Sequence, residues 1–290
     1  MRTVEIIYQY AAQDAPARPR PLDASAARQR LNEGNRAFAT LLEGPGGDTA
    51  TARQVVQVDL RDLGLLPSEK GAPRQRPFAA VLGCSDARVP IELIFNEGPN
   101  DLFVIRVAGN GLGTDVLGSL KYAIEHLGGS LKVVAVLGHS GCGAVSAAVD
   151  VFLNPAGYLP LASRHALRSI IDRLLVVVHT SARRLLEVFG PEAASRPGYR
   201  EALIEMSVLT NAALGAYTVQ EEISSSDPSE VRAAFGVYLL ETRQVWAPRR
   251  GASAWTGLAD PPRDPADFVE LGNCAAKSDR IASLFGSGRA

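Results

Sequence analysis

Residues 78–88 read FAAVLGCSDAR, an apolar run that ends in glycine and is followed at once by cysteine, aspartate and arginine. Short apolar runs of this kind are typical of strands covered on both faces of a sheet. A second run, VVAVLG at 133–138, leads into His139 and Cys142. Because ligands bind where the strands of an α/β sheet end, we expect the two strand ends to form one site.

The side chains at these strand ends are the ligand types that zinc prefers. Cys84 is separated from His139 by most of a βαβ unit, whereas His139 and Cys142 are close enough in sequence to close on one ion. Three protein ligands leave a fourth tetrahedral position for water, as in catalytic zinc sites. We therefore predict a single zinc ion per chain on Cys84, His139 and Cys142. Two inert buried thiols beside a packed imidazole are the alternative.

Asp86 and Arg88 follow the first cysteine closely enough to act on a water bound to that metal. Arg88 can hold Asp86 in a charge-assisted, bidentate pair, which keeps the carboxylate ionised and turned away from the metal. Zinc water with a pKa of about 7 would then supply hydroxide at neutral pH. An ordinary surface ion pair is the alternative for these two residues.

Apolar strand-like runs and amphipathic helical stretches alternate through the middle of the chain, which is typical of parallel βαβ units. The fold class predicted from this alternation is α/β, with a central, mostly parallel β-sheet flanked by helices and an extended N-terminal arm. We predict strands at 78–83, 102–107 and 131–137, helices at 115–127, 161–188 and 199–222, and a hairpin over 235–246. The strand at 102–107 is expected to be covered on both faces.

Proline marks the ends of this core. Three prolines between residues 16 and 21 exclude a helix there, and the next helix is expected to begin at Asp23 or Ser25. Residues 44–76 are expected to form a loop that could include a helix. The predicted organisation is an N-terminal arm at 1–22, an α/β domain at 23–247, and a C-terminal extension at 248–290 with one short helix near 275–285.

The 290-residue chain is 46% hydrophobic and 21% charged, with a net charge of −1. This composition is that of an ordinary globular protein, and the charge gives no reason to expect a nucleic acid or an acidic membrane as partner. No apolar run approaches the roughly 20 residues that span a bilayer, and no signal pattern opens the chain. Two of the three cysteines have ligand-like spacing, which argues against a disulfide framework. We expect a cytoplasmic protein.

Three stretches together resemble the β-class carbonic anhydrases: CSDARV at 84–89, RVAGN at 106–110 and GHSGCGA at 138–144, in that order and spacing. The resemblance runs from about Leu31 to Trp246. It implies zinc on the three ligands above, the aspartate–arginine pair as catalytic dyad, and reversible hydration of CO2 to bicarbonate and a proton. Related hydrolases that act on carbonyl sulfide or carbon disulfide share this chemistry and stay open as an alternative.

The resemblance also implies residues that contact the substrate. Gln75 matches the substrate-orienting glutamine of the family. Phe103, Ala108 and Tyr122 match its apolar CO2 pocket, although Tyr122 fits only after an offset of two residues before the zinc histidine. The backbone of Gly143 matches a further substrate contact.

The family is built as dimers with exchanged N-terminal arms and active sites at the dimer interface. The resemblance therefore implies a homodimer or a higher even homo-oligomer, with residues 1–22 as the arm. One branch of the family has a second bicarbonate site that includes a tryptophan three residues before the first zinc cysteine. That position is Val81 here, so we expect Asp86 to stay paired with Arg88 at neutral pH.

Other sequence patterns favour different functions less well. Gly109, Gly111 and Gly113 follow a strand, but Thr114 stands next and the spacing of a dinucleotide turn is not met. Arg88 comes too early after the cysteine for a C-x5-R phosphatase loop. A non-catalytic zinc scaffold could keep the ligands while losing the dyad or the glutamine. All of them are present, which favours an enzyme.

Overall fold

The computed structural model describes residues 3–11, 18–41, 43, 51–65, 71–225, 230–248 and 257–286. Within these ranges the strands are β1 (Val4–Ala11), β2 (Ala52–Asp59), β3 (Ala79–Gly83), β4 (Leu102–Arg106), β5 (Val133–His139), β6 (Arg232–Tyr238) and β7 (Val245–Trp246). The α-helices are α1 (Ala24–Ala39), α2 (Ile91–Ile94), α3 (Thr114–Leu127), α4 (Gly143–Leu153), α5 (Leu159–Ala162), α6 (His165–Phe189), α7 (Tyr199–Ser225), α8 (Pro265–Ala276) and α9 (Asp279–Gly286).

A five-stranded sheet in the order β4-β3-β5-β6-β7 forms the centre of the fold. Its first four strands are parallel, and β7 pairs with β6 in the antiparallel direction, as the predicted hairpin requires. The predicted α/β fold with a mostly parallel sheet is therefore confirmed. The parallel strands all end at the same edge of the sheet, and this common edge determines where their following residues lie.

Side chains of the inner strands alternate between two separate apolar cores, one on each face of the sheet. Ala80 and Leu82 join a core with α3, α4, α6 and α7, whereas Ala79 and Val81 face the other core with α1 and α2. Every residue of β3 and β5 is buried. Burial on both faces explains why these strands consist of unbroken apolar runs.

The edge strand β4 differs from the prediction that it would be covered on both faces. Its first four residues are half-buried and Arg106 is exposed. The reason is its position, because β4 pairs only with β3 and has no neighbouring strand on its outer side among the described residues. An apolar sequence alone does not distinguish an inner strand from an edge strand.

The N-terminal region corrects another prediction, that of a loop over 44–76. Residues 52–59 form β2, which runs parallel to β1 in a separate two-stranded sheet. The burial of β2 alternates along the strand, but its buried face includes Gln54 and its exposed face includes Val55. This placement hides the usual apolar alternation. Residues 4–11 are extended as predicted, and they pair with β2 of their own chain. Residues 12–17 of the predicted arm lie outside the described residues.

Two helices, rather than the single one predicted near 275–285, follow residue 264. Asp264 is the N-cap of α8 and accepts from the Asp267 amide at 2.9 Å, with Pro265 in the first turn. This acidic cap followed by proline is a start signal that the sequence interpretation missed. Ala275 and Ile281 are fully buried against the main core. The C-terminal residues therefore pack against the α/β domain, and the domain boundary at 247 stays a prediction.

Helices α6 and α7 occupy the two long stretches predicted to be helical. By length and composition, α7 is the one described helix that could cross a membrane, although 67% of its apolar window is buried inside the fold. That degree of burial is expected of a core helix. The helix contacts β5 and β6 and supports the sheet edge where the site lies.

Candidate metal centre and active site

The ends of β3 and β5 lie side by side because the two strands are neighbours in the sheet. Gly83 pairs with Leu137, so Cys84 leaves one strand beside the point where His139 ends the other. Gly141 adopts a left-handed backbone with φ of 61°, a conformation that favours glycine. This turn brings the chain back so that Cys142 becomes the N-cap of α4.

Cys84, His139 and Cys142 form a buried cluster whose ligand atoms all lie within 4.8 Å of one another. A tetrahedral zinc site with bonds of about 2.3 Å places its ligand atoms about 3.8 Å apart, so small side-chain movements suffice to close the three on one ion. Two thiols and an imidazole are the donors that zinc selects over hard cations. The predicted ligands are thus brought together by the fold.

The imidazole of His139 has one nitrogen without a partner, which supports metal binding. Its Nδ1 lies 3.0 Å from the carbonyl oxygen of Ser140. Since a carbonyl only accepts, Nδ1 carries the proton and Nε2 carries the lone pair. The ring is fully buried and Nε2 has no hydrogen-bond partner among the described residues. A buried lone pair without a partner is costly, and a metal ion at this position removes that cost.

The two thiols of the cluster influence each other strongly. Hydrogen bonding from Cys142 lowers the pKa of Cys84 to about 3, with His139 contributing in the same direction. The hydrogen bond with Cys84, followed by burial and by the charge on Cys84, raises the pKa of Cys142. The amide of Gly109 donates to the Cys84 sulfur at 3.4 Å, a contact that stabilises a thiolate. Cys84 is therefore favoured as the anionic thiolate, which is the form that binds zinc.

Asp86 and Arg88 form the predicted ion pair directly beside the cluster. Arg88 donates from Nε to Asp86 Oδ1 at 3.0 Å and from a terminal nitrogen to Oδ2 at 2.7 Å, and its backbone amide also donates to Oδ1. This pairing holds the pKa of Asp86 well below its usual range. Asp86 Oδ2 lies 3.9 Å from His139 Nε2, so an ionised acceptor stands next to the atom that would bind the metal.

Arg106, at the end of β4, braces the loop between the first ligand and the dyad. Its guanidinium donates to the backbone carbonyl of Cys84 at 3.1 Å and to that of Asp86 at 2.6 Å. From the sequence, this arginine is noted only as the first residue of the RVAGN stretch at 106–110, without this role. A charged residue at the end of an apolar run near a metal cysteine was the available signal.

Comparison with known proteins identifies this part of the chain. A family model described as carbonic anhydrase matches residues 79–213, which include the cluster and the dyad. The match covers just under half of the chain. Carbonic anhydrase 2 of Mycobacterium tuberculosis is 43% identical over 106 residues, which are 36% of this chain and 46% of the relative. The resemblance to the β class is confirmed.

A second curated relative has a similar level of identity. A carbonic anhydrase of Mycolicibacterium smegmatis is 41% identical over 103 residues, or 34% of this chain and 45% of the relative. The chain thus spans about half the length of the curated relatives it matches. Among solved structures, a Coccomyxa β-carbonic anhydrase in complex with acetazolamide has a TM-score of 0.47 and 20% identity, covering 77% of this chain and 87% of that one.

The residues matched to the CO2 pocket are spread over the segment that matches the family model. Ala108 lines a cavity of about 540 Å³ between the glycine-rich turn and helices α6 and α7. Phe103 lies half-buried on the edge strand β4. Tyr122 is 50% exposed on α3 and stacks on His126 with ring centroids 4.6 Å apart. Phe103 packs against the core that includes Cys84 and Cys142, whereas Tyr122 is half-exposed, and the role of both in substrate binding stays a prediction.

Gly143 and Gln75 stand at different distances from the cluster. Gly143 is the first residue of α4, and amides in the first turn of a helix have no partner within the helix. Its amide therefore has no acceptor within α4 and directly follows Cys142 in the chain. Gln75 is exposed and precedes the start of β3, whereas Cys84 follows the end of that five-residue strand. The strand alone separates them by about 13 Å.

Proposed function

We propose that this protein catalyses the reversible hydration of CO2 to bicarbonate and a proton, with a single zinc ion per chain held by Cys84, His139 and Cys142. The observation that carries the proposal is the unpartnered Nε2 of His139 beside both cysteines, with the ionised Asp86 3.9 Å away. The family match over residues 79–213 supports it. Zinc with three protein ligands supplies hydroxide at neutral pH by lowering the pKa of a bound water to about 7.

The side chains around the ligands orient the reacting groups. Asp86 accepts a proton or a hydrogen bond from the water that attacks CO2, and Arg88 keeps that carboxylate ionised and off the metal. The backbone amide of Gly143, in the first turn of α4, would donate to the oxygen that becomes bicarbonate. Arg106 holds the backbone that links the first ligand to the dyad.

A stopped-flow assay of CO2 hydration on zinc-loaded protein tests this function directly. We expect the rate to exceed that of the uncatalysed reaction by orders of magnitude, and to fall when zinc is removed by a chelator. Carbonyl sulfide is run alongside under the same conditions. Turnover of carbonyl sulfide without CO2 hydration would replace the proposal by the related hydrolase activity. Zinc binding without either activity would leave a scaffold protein.

We further propose that the active protein is a homodimer in which a second copy supplies Gln75. Within one chain, β3 keeps this glutamine about 13 Å or more from the metal ligands. Two further features favour a partner at this side of the fold, namely the half-buried edge strand β4 and the exposed Tyr122. An edge strand with apolar residues is a surface that natural proteins cover.

Mixing two inactive chains tests this arrangement. Gln75→Ala and Cys84→Ala variants are each expected to lose most activity, for lack of the substrate contact and of the metal respectively. When the two variants are co-expressed with different tags, about half of the dimers are expected to be mixed. Each mixed dimer has one intact site out of two, so about a quarter of the wild-type activity should return. Light scattering verifies the dimer. A mixed sample as inactive as its components would mean that Gln75 acts in the site of its own chain.

A further inference from the structure

A chain of hydrogen bonds connects the metal ligand His139 to the C-terminal helix α9. His139 Nδ1 donates to the carbonyl of Ser140 at 3.0 Å, so the direction of this carbonyl sets the orientation of the imidazole. Three further hydrogen bonds hold Ser140. Its amide donates to the Tyr238 carbonyl at 2.9 Å. Its hydroxyl accepts from the Leu240 amide and donates to Glu241, both at 2.9 Å. Residues 139–142, which begin at the last residue of β5 and carry two of the metal ligands, are called the metal loop. Its conformation depends on the turn between β6 and β7.

Glu241 is the least constrained member of this series of hydrogen bonds unless another residue holds its side chain in place. It lies in the turn with a side chain that is 51% exposed, and an exposed glutamate keeps considerable rotamer freedom. Its second carboxylate oxygen accepts from the guanidinium of Arg280 on α9. The contact fixes both oxygens at once, one on Ser140 and one on Arg280.

Arg280 is itself fixed in position, so it can hold the side chain of Glu241 in one conformation. Its side chain is 20% exposed, and Nε donates to Glu205 on α7 at 2.7 Å, with that carboxylate only 15% exposed. The guanidinium therefore bridges two carboxylates in a fixed planar arrangement, which a lysine cannot reproduce. The adjacent Ile281 is fully buried and anchors α9 against the core. The bridge is part of a packed helix rather than of a flexible surface chain.

We propose that α9 positions His139 for metal binding through Arg280, Glu241 and Ser140. The C-terminal helices lie outside the segment that matches the carbonic anhydrase family, yet they are connected to its metal loop by these contacts. The three are positioning residues, since each acts through the next and none touches the reacting atoms. Partners that orient metal ligands in this way typically change metal affinity by about 10–100-fold. The inference rests on the zinc site of the proposed function.

The rate of zinc release into excess chelator, measured on purified zinc-loaded protein, tests the proposal without an activity assay. Arg280→Ala and Glu241→Gln are expected to release zinc about 10-fold faster than wild type. Both are also expected to shift the visible absorption bands of the cobalt-substituted protein, because the imidazole changes its orientation. Arg280→Lys should restore part of the slow release, because an ammonium keeps the charge but not the two-sided fork.

Arg263→Ala is the matched control. Arg263 lies in the same C-terminal region and pairs with Asp267, but its side chain is 84% exposed and contacts neither Glu241 nor the metal loop. Its zinc release and cobalt spectrum should equal those of wild type. Thermal unfolding shows that each variant is folded, and Glu241→Gln keeps the proposal testable if Arg280→Ala fails to fold.

Two results would overturn the inference. One is wild-type release and spectra in folded Arg280→Ala and Glu241→Gln. The other is equally fast release from Arg263→Ala, which would indicate general loosening of the C-terminal helices. Failure of the proposed function is a separate result, because a wild-type protein that retains zinc but does not hydrate CO2 contradicts that function while the release test still decides the positioning role.

Discussion

Cys142→Ala is expected to lose most of its zinc and, with it, nearly all hydration of CO2. The variant leaves two ligands, Cys84 and His139, where catalytic zinc normally has three from the protein. Because the loss of partners that only orient a ligand already costs about 10–100-fold in affinity, removal of a ligand should cost more. Metal analysis after gel filtration gives the zinc content, with wild type expected to hold about one ion per chain.

The third cysteine provides the control for this experiment. Cys274 lies on α8, is partly exposed and stands outside the metal cluster. Cys274→Ala should therefore keep both zinc and activity, which separates the loss of a ligand from the loss of any thiol. Full zinc retention in Cys142→Ala would show that the assigned ligand set is wrong.

Asp86→Asn is expected to lower CO2 hydration by about 10²–10⁴-fold while zinc stays bound, because the amide keeps the shape but no longer offers an anionic acceptor. Arg88→Ala should have a similar effect, since it frees the carboxylate to approach the metal. The Arg88 guanidinium holds the pKa of Asp86 well below its usual range, so the carboxylate is ionised at every pH above about 4. The acid limb of the wild-type rate profile should then not report Asp86.

A second aspartate–arginine pair in the chain gives a matched control of nearly identical geometry. Arg61 donates to Asp59 Oδ1 at 2.9 Å and to Oδ2 at 2.7 Å, and both aspartates have side chains that are 18% exposed. This pair lies at the end of β2, outside the metal cluster. Asp59→Asn should leave turnover unchanged. Wild-type turnover in zinc-loaded Asp86→Asn would mean that Asp86, like Asp59, is only a member of a surface ion pair.

The parts of the fold that sequence reasoning predicted well are those where one physical requirement dominates. β3 and β5 are buried on both faces, so every residue must be apolar and the runs are unmistakable. The prediction was less successful where two requirements compete. In β2 a buried glutamine and an exposed valine conceal the alternation, and in β4 an apolar run lies at the edge of the sheet. Which strand has a neighbour on each side is a property of the assembled sheet.

The candidate site also has features that the sequence predicts and features that depend on the assembled fold. By itself the sequence determined the ligand types, their spacing and the pairing of Asp86 with Arg88, because these depend on strand ends and on residues close in the chain. Only the tertiary structure decided that Arg280 reaches the metal loop through Glu241 and Ser140. Such contacts join residues far apart in the chain. Local propensity and spacing carry no information about them, because their formation depends on how the helices pack on the finished sheet.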